Sequence, residues 1–351
     1  MKRSLLFLVA AALLLPGAAR SAACTPLNCA PSQFAVQGST LIGYRSSALG
    51  RVTIVDLRSG KKRFLVPGGY VDGHLLVHQA GRQLAWYDLR SGTRMATKTL
   101  PWQIRLAGAS QDGTRAVGFR LTPDRETTVV VASAHTTREL VIPGRQWDFD
   151  ALSGNNVFLI HYLTTGGYTI RLLDLATGKL APQLVKDPRD SSPIWGSPFS
   201  RLSSADGRYL FTIYLASNGA AMVHELDVRN ATARCIDLPG TGDYTSALSW
   251  GMALSRDGRT LWAANPGYRR VVGIDVRSRR VTSAFRVDLP YWNLVDGTRA
   301  AVSPDGRQLA LADGETVALL GLSKHELMHR FRVRTVAIGW SPTGLLQKLH
   351  R

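Results

Sequence analysis

Short apolar runs separated by tight polar turns recur along most of this chain. Val157–Ile160, Tyr209–Ile213 and Thr260–Ala264 are examples, and each ends near Asp, Gly, Ser or Asn. Runs this short, rich in β-branched and aromatic residues, predict strands, and their continuous apolarity predicts packing on both faces. The pattern therefore favours an all-β protein.

Two turn signatures follow these strands in a repeating order. In the first, Asp is followed by Gly four positions later, and the second reads Ser-x-Asp-Gly. Asp accepts hydrogen bonds from nearby backbone N–H groups, and Gly adopts the positive φ that closes a hairpin. The predicted structural turn residues are Asp56, Gly60, Asp88, Gly92, Asp174, Gly178, Asp257, Gly258, Asp305 and Gly306.

The first signature recurs, with two degenerate copies, at steps of 32 to 53 residues. A period near forty with several strands per period is typical of β-propeller blades. We therefore expect a single all-β propeller of seven four-stranded blades, with six or eight as alternatives. Two segments have the pattern of the inner strand of the first blade. They are Phe34–Gln37 with Thr40–Tyr44, and Val336–Trp340. A strand exchange between the two ends is expected, and which end supplies which strand stays open.

The first residues have the pattern of an export signal. Lys2 and Arg3 precede the apolar stretch Leu5–Leu15, and small residues at Ser21–Ala23 suit a cleavage site. We expect a secretory signal peptide over 1–23, a short segment over 24–33 and the propeller over 34–351. The mature chain is then exported, and is periplasmic, extracellular or associated with the cell envelope. No later stretch is apolar enough to span a bilayer.

Cys24 would begin the mature chain, and this position allows a lipid tether. Ser21 departs from the aliphatic residue that a lipobox requires, so free secretion is the alternative. In an oxidising compartment Cys24 and Cys29 could instead form a small disulfide. Cys235 is expected to be a half-buried structural thiol.

The formal net charge of +18 bears on partners more than on fold. A GC-rich coding sequence, which favours Arg codons, explains this charge without any ligand. Attraction to an anionic envelope surface is the functional alternative. No basic stripe with interleaved aromatic residues is present, so nucleic acid is not an expected partner. A monomer is expected.

Searches for catalytic and metal motifs give one match, which we reject. His325-Glu-Leu-Met-His329 spells the zincin pattern, whose chemistry requires both histidines on one helix face. The repeat register instead places this segment on a turn and an outer strand. No G-x-S-x-G elbow, P-loop or dinucleotide motif is present. No catalytic residue, metal or cofactor is therefore assigned.

Aromatic residues before the predicted inner strands are the candidate binding residues. Connections from an outer strand to the next inner strand gather at one mouth of a propeller channel, where large rings could form a recognition surface. Packing between blades is the alternative explanation. The candidates are Tyr70, Trp102, Trp147, Trp195, Trp250 and Trp292.

Ionisable residues on the predicted inner strands are a weaker signal, because they do not repeat from blade to blade. Arg105, Asp148, Asp150 and Asp296 are the candidates. Asp148 and Asp150 are also interpreted as residues of a solvated connection between blades, and binding of a cation or a substrate is the alternative.

One stretch of the chain resembles the repeat of the YVTN and TolB-like (WD40-like) bacterial propellers. It consists of Leu254–Asn265, Val271–Asp275 and Val281–Phe285, and Ser303–Ala312 is a second match. The resemblance covers most of residues 34–344. It implies a propeller and little about function, because these families include partner-binding periplasmic proteins, lactonase-like enzymes and quinoprotein-related propellers. The α/β domain that precedes the TolB propeller has no counterpart here, so the partners of TolB are not implied.

Three functions remain open. A noncatalytic binding module of the cell envelope, which engages a protein or polymer at the channel mouth, is the leading interpretation. A lactonase-like or other hydrolytic propeller enzyme is the alternative. The third is electrostatic adhesion to anionic envelope material, which would weaken with salt.

Overall fold

The computed structural model describes residues 40–46, 51–56, 62–67, 69–72, 75–89, 91–120, 126–164, 167–189, 194–204, 206–216, 218–240, 244–289, 299–303, 305–312, 316–332 and 337–341. The predicted signal peptide, the Cys24 lipid tether and the Cys24–Cys29 disulfide lie outside these residues. So do Gly60, Trp292 and Asp296.

Nearly all described elements are strands, so the all-β prediction is confirmed. The elements are β1 Thr40–Ser46, β2 Arg51–Asp56, β3 Lys62–Pro67, β4 Tyr70–Asp72, β5 Leu75–Ala80, β6 Gln83–Asp88, β7 Thr93–Thr99, β8 Arg105–Ala109, β9 Ala116–Arg120, β10 Glu126–Ala132, β11 Thr137–Pro143, β12 Trp147–Ser153, β13 Asn156–Tyr162, β14 Tyr168–Asp174, β15 Lys179–Val185, β16 Ser197–Ser203, β17 Tyr209–Leu215, β18 Ala221–Asp227, β19 Thr232–Leu238, α1 Tyr244–Ala247, β20 Gly251–Leu254, β21 Thr260–Asn265, β22 Arg270–Asp275, β23 Arg280–Arg286, β24 Arg299–Val302, β25 Gln308–Ala312, β26 Thr316–Gly321, β27 Glu326–Arg332 and β28 Ala337–Ser341.

The described strands form seven antiparallel sheets of four strands each. Sheet 1 has the order β28-β1-β2-β3, and sheets 2 to 7 each contain four consecutive strands, beginning with β4, β8, β12, β16, β20 and β24. These first strands contact one another from sheet to sheet: β4 with β8, β8 with β12, β16 with β20, β20 with β24, and β24 with β28. They are therefore the inner strands of a ring of sheets, and the fourth strands form its rim.

The apolar core consists of separate clusters, each between two neighbouring sheets. Strand β13 shows why, because successive side chains of a strand point to opposite faces. Strand β13 belongs to sheet 4. Val157 and Leu159 pack in the cluster between sheets 3 and 4, whereas Phe158 and Ile160 pack in the cluster between sheets 4 and 5. A strand with both faces covered needs a continuous apolar run, which explains the sequence pattern. Outer strands such as β23 are mostly exposed.

The turn between β20 and β21 shows how the Ser-x-Asp-Gly signature works. Asp257 Oδ1 accepts hydrogen bonds from Ser255 Oγ at 2.6 Å and from the Arg259 backbone N–H at 3.0 Å. The Gly258 N–H donates to the Ser255 carbonyl at 2.9 Å, with a φ of 71° that favours glycine. The hydrogen bond from Ser255 lowers the pKa of Asp257. These contacts recur in the turns 204–208 and 303–307.

Sheet 1 joins the two ends of the chain. Strand β28 is its inner strand and pairs with β1, where Thr40 lies opposite Ser341 and Tyr44 lies opposite Ala337. The expected strand exchange is therefore one strand from the C-terminal end combined with three from the N-terminal end. Thr40–Tyr44 belongs to the second strand and not to the inner strand.

Within the described ranges, no helix is long and apolar enough to cross a membrane.

Candidate functional site

Two of the predicted aromatic binding residues are buried. Trp147, at the start of β12, stacks on His161 with ring centroids 4.3 Å apart, and its Nε1 donates to the Pro143 carbonyl at 3.0 Å. Trp250 has no exposed surface and packs between sheets 5 and 6, with its ring edge-on to Tyr268. Both side chains have the contacts of core residues.

Two others are exposed. Trp102 is 41% exposed, donates from Nε1 to Glu139 Oε1 at 2.7 Å, and lies under the Arg120 guanidinium at 4.5 Å. Trp195 is 56% exposed, in the connection before β16. A recognition surface made by all the candidate aromatic residues together stays a prediction, and its described members differ strongly in accessibility.

Replacing Trp195 by alanine is expected to change the free energy of unfolding by no more than about 0.5 kcal/mol, because an exposed side chain away from the core contributes little. Thermal unfolding followed by circular dichroism measures this. Met95→Ala, which removes another exposed apolar side chain on β7, is the control. A large loss of stability in the Trp195 variant would mean that its ring is packed.

The fifth described candidate, Tyr70, belongs to a group of polar residues on the inner strands. We call this group the channel cluster. It comes from β4, β8, β12 and β16 and consists of Tyr70, Arg105, Asp148, Asp150 and Arg201. Electrostatic interactions connect its members, since Asp148, Arg105 and Arg201 all affect the pKa of Tyr70. Burial, the largest effect, and Asp148 raise that pKa to about 12.

Two ion pairs join the two acids of β12 to both neighbouring sheets. Arg105 Nη1 lies 3.5 Å from Asp148 Oδ1, and Arg201 Nη2 lies 3.2 Å from Asp150 Oδ1. Arg201 Nη2 also donates to the Phe149 carbonyl at 3.2 Å. The arginine side chains are 38% and 33% exposed, whereas the Asp150 side chain is fully buried. The cluster therefore combines two partly exposed arginine side chains with a buried carboxyl group.

A β-bulge places Asp150 in this position. Phe149 lies opposite Leu159 and Ala151 lies opposite Phe158, so Asp150 is an extra residue without a cross-strand partner. Residues two apart in a regular strand share a face, yet Phe149 packs toward sheet 3 and Ala151 toward sheet 5. Bulges redirect side chains and are frequent near active sites. The inner strands β8 and β16 carry bulges too.

The environment of Asp150 disfavours its charged form. Burial raises its pKa from 3.8 to about 6, with Arg201 lowering it and Asp148 raising it further. Asp150 Oδ2 has no hydrogen-bond partner among the described residues. An acid of this kind changes charge near neutral pH, as groups at functional sites often do.

The expectation that Asp148 and Asp150 lie in a solvated connection is wrong, because both belong to β12 and Asp150 is buried. Arg201 was not identified from sequence. Its only signal is a charged residue within the polar segment Ser197–Ser203, and nothing local in the sequence shows that this residue faces Asp150.

A row of polar side chains extends outward from the channel cluster across sheet 5. Arg201 lies opposite Thr212, Thr212 opposite His224, and His224 opposite Cys235, so one residue from each strand faces sheet 4. Cys235 Sγ is 3.9 Å from His224 Nδ1. Burial lowers the pKa of His224 to about 4, so this imidazole is neutral at neutral pH.

Buried hydroxyl groups from both sheets surround this row. Tyr168 of sheet 4 stacks on Tyr214 of sheet 5, with ring centroids 5.0 Å apart. Neither phenol has a hydrogen bond of good geometry, although each affects the pKa of the other, and burial raises both pKa values well above 10. Thr212 Oγ1 and His224 Nε2 are likewise buried without a partner among the described residues. The sheet 4–sheet 5 interface thus has hydrogen-bonding capacity that the described protein groups do not use.

The His325–His329 motif begins in a turn and continues on β27. His325 has a φ of 57° and its ring stacks on Phe285. Two histidines on this turn and strand lack the helical spacing of a zincin site. In the part of the chain that is described, no group of three or more His, Cys, Asp or Glu side chains is arranged to hold a metal ion.

Comparison with solved structures identifies the architecture. Apo AztD from Citrobacter koseri is 11% identical, with 87% of this chain and 98% of that chain covered and a TM-score of 0.53. A functionally unknown protein from Desulfotomaculum acetoxidans is 14% identical, with 86% and 99% covered and a TM-score of 0.52. The fold is a β-propeller. At these identities the similarity concerns the fold alone.

No family model matches the chain, so no family match supports the resemblance to YVTN and TolB-like repeats. No curated protein matches it either.

Proposed function

We propose that this propeller is an exported, noncatalytic binding module of the cell envelope, with residues 1–23 as its signal peptide and 34–351 as the propeller. It binds a protein or an envelope polymer as a monomer, at the end of the channel that the channel cluster lines. Propellers of the YVTN and TolB-like kind provide the analogy for this role.

One observation supports this site above all others. Arg105 and Arg201, on two inner strands that flank β12, keep half-exposed guanidinium groups beside Asp148 and Asp150. The Arg105 guanidinium lies over the Phe119 ring at 5.0 Å, and that of Arg201 over the Phe149 ring at 5.7 Å. These aromatic platforms limit the movement of long side chains, which lowers the entropy lost on binding. Polar groups held in place in this way are typical of ligand recognition.

The test is partner capture from the native envelope by crosslinking. Arg105→Gln/Arg201→Gln is expected to lose at least about nine tenths of the captured material, as for a loss of about 1.4 kcal/mol in binding. Arg115→Gln/Arg138→Gln is the matched control, because Arg115 lies in the turn between β8 and β9, Arg138 lies on β11, both are outside the cluster, and each donates to a backbone carbonyl. Equal capture by both double variants would refute the proposed site.

A hydrolytic function is the second candidate, and the environment of Asp150 favours it. A buried carboxyl group with a pKa of about 6 could serve as a general acid or base. A panel of lactones tests this. Hydrolysis that disappears in Asp150→Asn would establish an enzyme, and absence of hydrolysis by the folded wild-type protein would remove this candidate.

A further inference from the structure

We propose that the channel cluster binds an acidic sugar, meaning a ring that carries a carboxylate beside neighbouring hydroxyl groups, and that it binds this group more tightly in mildly acidic solution. The inference rests on the proposed function and assigns a ligand chemistry to the same site. Each part of the ligand corresponds to one part of the cluster.

The two arginines provide the site for the carboxylate. Among the described residues, Arg105 is hydrogen-bonded through Nη1 and Arg201 through Nη2. A guanidinium group has five N–H donors in a planar fork that matches a carboxylate, so both side chains keep donors for a ligand. Phosphate is also an anion, but it lacks the adjacent ring hydroxyls of an acidic sugar.

Asp148 provides the site for the hydroxyl groups. Its side chain is 22% exposed and contacts Arg105 through Oδ1 only, at 3.5 Å. An ionised carboxylate only accepts hydrogen bonds, and a sugar hydroxyl is a suitable donor. Asp148 repels any anion, and the ring hydroxyls of an acidic sugar offset this repulsion by donating hydrogen bonds to its carboxylate. A neutral hexose would leave the charge of the guanidinium groups unused.

Asp150 controls the charge of the site. Its Oδ2 atom is buried without a partner among the described residues, and its Oδ1 atom contacts Arg201. When Asp150 is ionised it competes with the ligand for Arg201, and when it is protonated Arg201 is available. The groups that face it are Arg201 from β16, Asp148 from β12, Tyr168 from β14 and Tyr214 from β17.

The two phenols do not change charge near neutral pH, because burial raises their pKa values well above 10. The pKa of Asp150 lies at about 6. A change from pH 8 to pH 5 therefore protonates this carboxyl group. The loss of its negative charge makes the net charge of the cluster more positive by one. Affinity for an anion is expected to rise over this interval.

The experiment titrates the mature full-length protein with D-glucuronate, D-glucose and inorganic phosphate by calorimetry at pH 5 and pH 8. Glucuronate is expected to bind at least about tenfold more tightly at pH 5 than at pH 8. Glucose and phosphate are expected to bind at least about tenfold more weakly than glucuronate. Equal binding of phosphate would show a simple anion site, equal binding of glucose would show a neutral sugar site, and no binding of glucuronate would refute the proposal.

Asp150→Asn separates the proposed role from a structural one. Its uncharged amide imitates the protonated acid, so glucuronate should bind at pH 8 nearly as tightly as it binds the wild type at pH 5, without further gain in acid. An unchanged pH dependence would refute the role of Asp150. Arg201→Gln provides a second test, since it should abolish the preference for glucuronate over glucose. Arg138→Gln, with the same loss of charge at the rim, should change neither property.

The outcomes for the ligand and for the site are distinguishable. If glucuronate does not bind but Arg105→Gln/Arg201→Gln loses envelope capture, the ligand class is wrong and the proposed site remains. If that double variant keeps full capture, the proposed site fails, whatever small molecules bind.

Discussion

Replacing Trp250 by alanine is expected to lower the free energy of unfolding by about 3–5 kcal/mol. The indole has no exposed surface and packs against Tyr268 and the apolar side chains of sheets 5 and 6. Truncation therefore removes a large buried surface and leaves a cavity that a closely packed interface cannot fill. Urea unfolding followed by far-ultraviolet circular dichroism measures the change.

The Trp195→Ala variant provides the comparison, because that side chain is mostly exposed. A loss of less than about 1 kcal/mol in Trp250→Ala would contradict the buried position. The comparison also bears on the predicted aromatic mouth. A variant that changed Trp147, Trp195 and Trp250 together would combine loss of folding with loss of binding, so only exposed members of the set should be tested in binding experiments.

Replacing Asp150 by asparagine is expected to raise the free energy of unfolding at pH 8 by about 1–3 kcal/mol. Burial raises the pKa of Asp150 from 3.8 to about 6 in the folded protein. The folded state thus binds the proton more tightly than the unfolded state. The stability this provides is fully present below pH 3.8 and is lost as pH rises through about 6. Above that pH the wild type must keep a charged carboxylate buried, and asparagine removes this cost.

Urea unfolding of both proteins at pH 4 and pH 8 tests this, and the advantage of asparagine should be largest at pH 8. Asp187→Asn is a control of opposite sign. Hydrogen bonds from the Arg189 side chain are the largest effect on the pKa of Asp187 and lower it to about 2. The ionised form of Asp187 therefore stabilises the fold above pH 3.8. The asparagine variant should be less stable than the wild type at pH 8. An Asp150 variant less stable than the wild type at pH 8 would contradict the raised pKa.

The fold was predictable because its signals are local. Each Ser-x-Asp-Gly turn, such as 255–258, contains within a few residues the donors, acceptors and positive-φ glycine that form it. Regular repetition of these turns between apolar runs then limits the possible architectures to few. The Ala337–Ser341 inner strand could not be assigned from sequence, because pairing between distant ends leaves no local signal.

The candidate site was much less predictable. The bulge at Asp150 shifts the strand register by one residue, and no turn residue marks it in the sequence. Side-chain alternation fails at that point, so the orientation of Asp150 toward Arg201 depends on tertiary structure. Trp147 and Trp250 precede predicted inner strands just as Trp102 and Trp195 do, yet their burial depends on tertiary contacts such as those with His161 and Tyr268.

The pairing of β28 with β1 also restricts the order of folding. Thr40 and Ser341 are about 300 residues apart in sequence, so sheet 1 carries the largest loop-closure entropy of all the sheets. The other sheets consist of consecutive strands, and each can form before the C-terminal part of the chain is synthesised. Sheet 1 must wait for the last strand. Until then the inner edge of β1 lacks its partner, and during that interval this edge is open to strand pairing with other molecules.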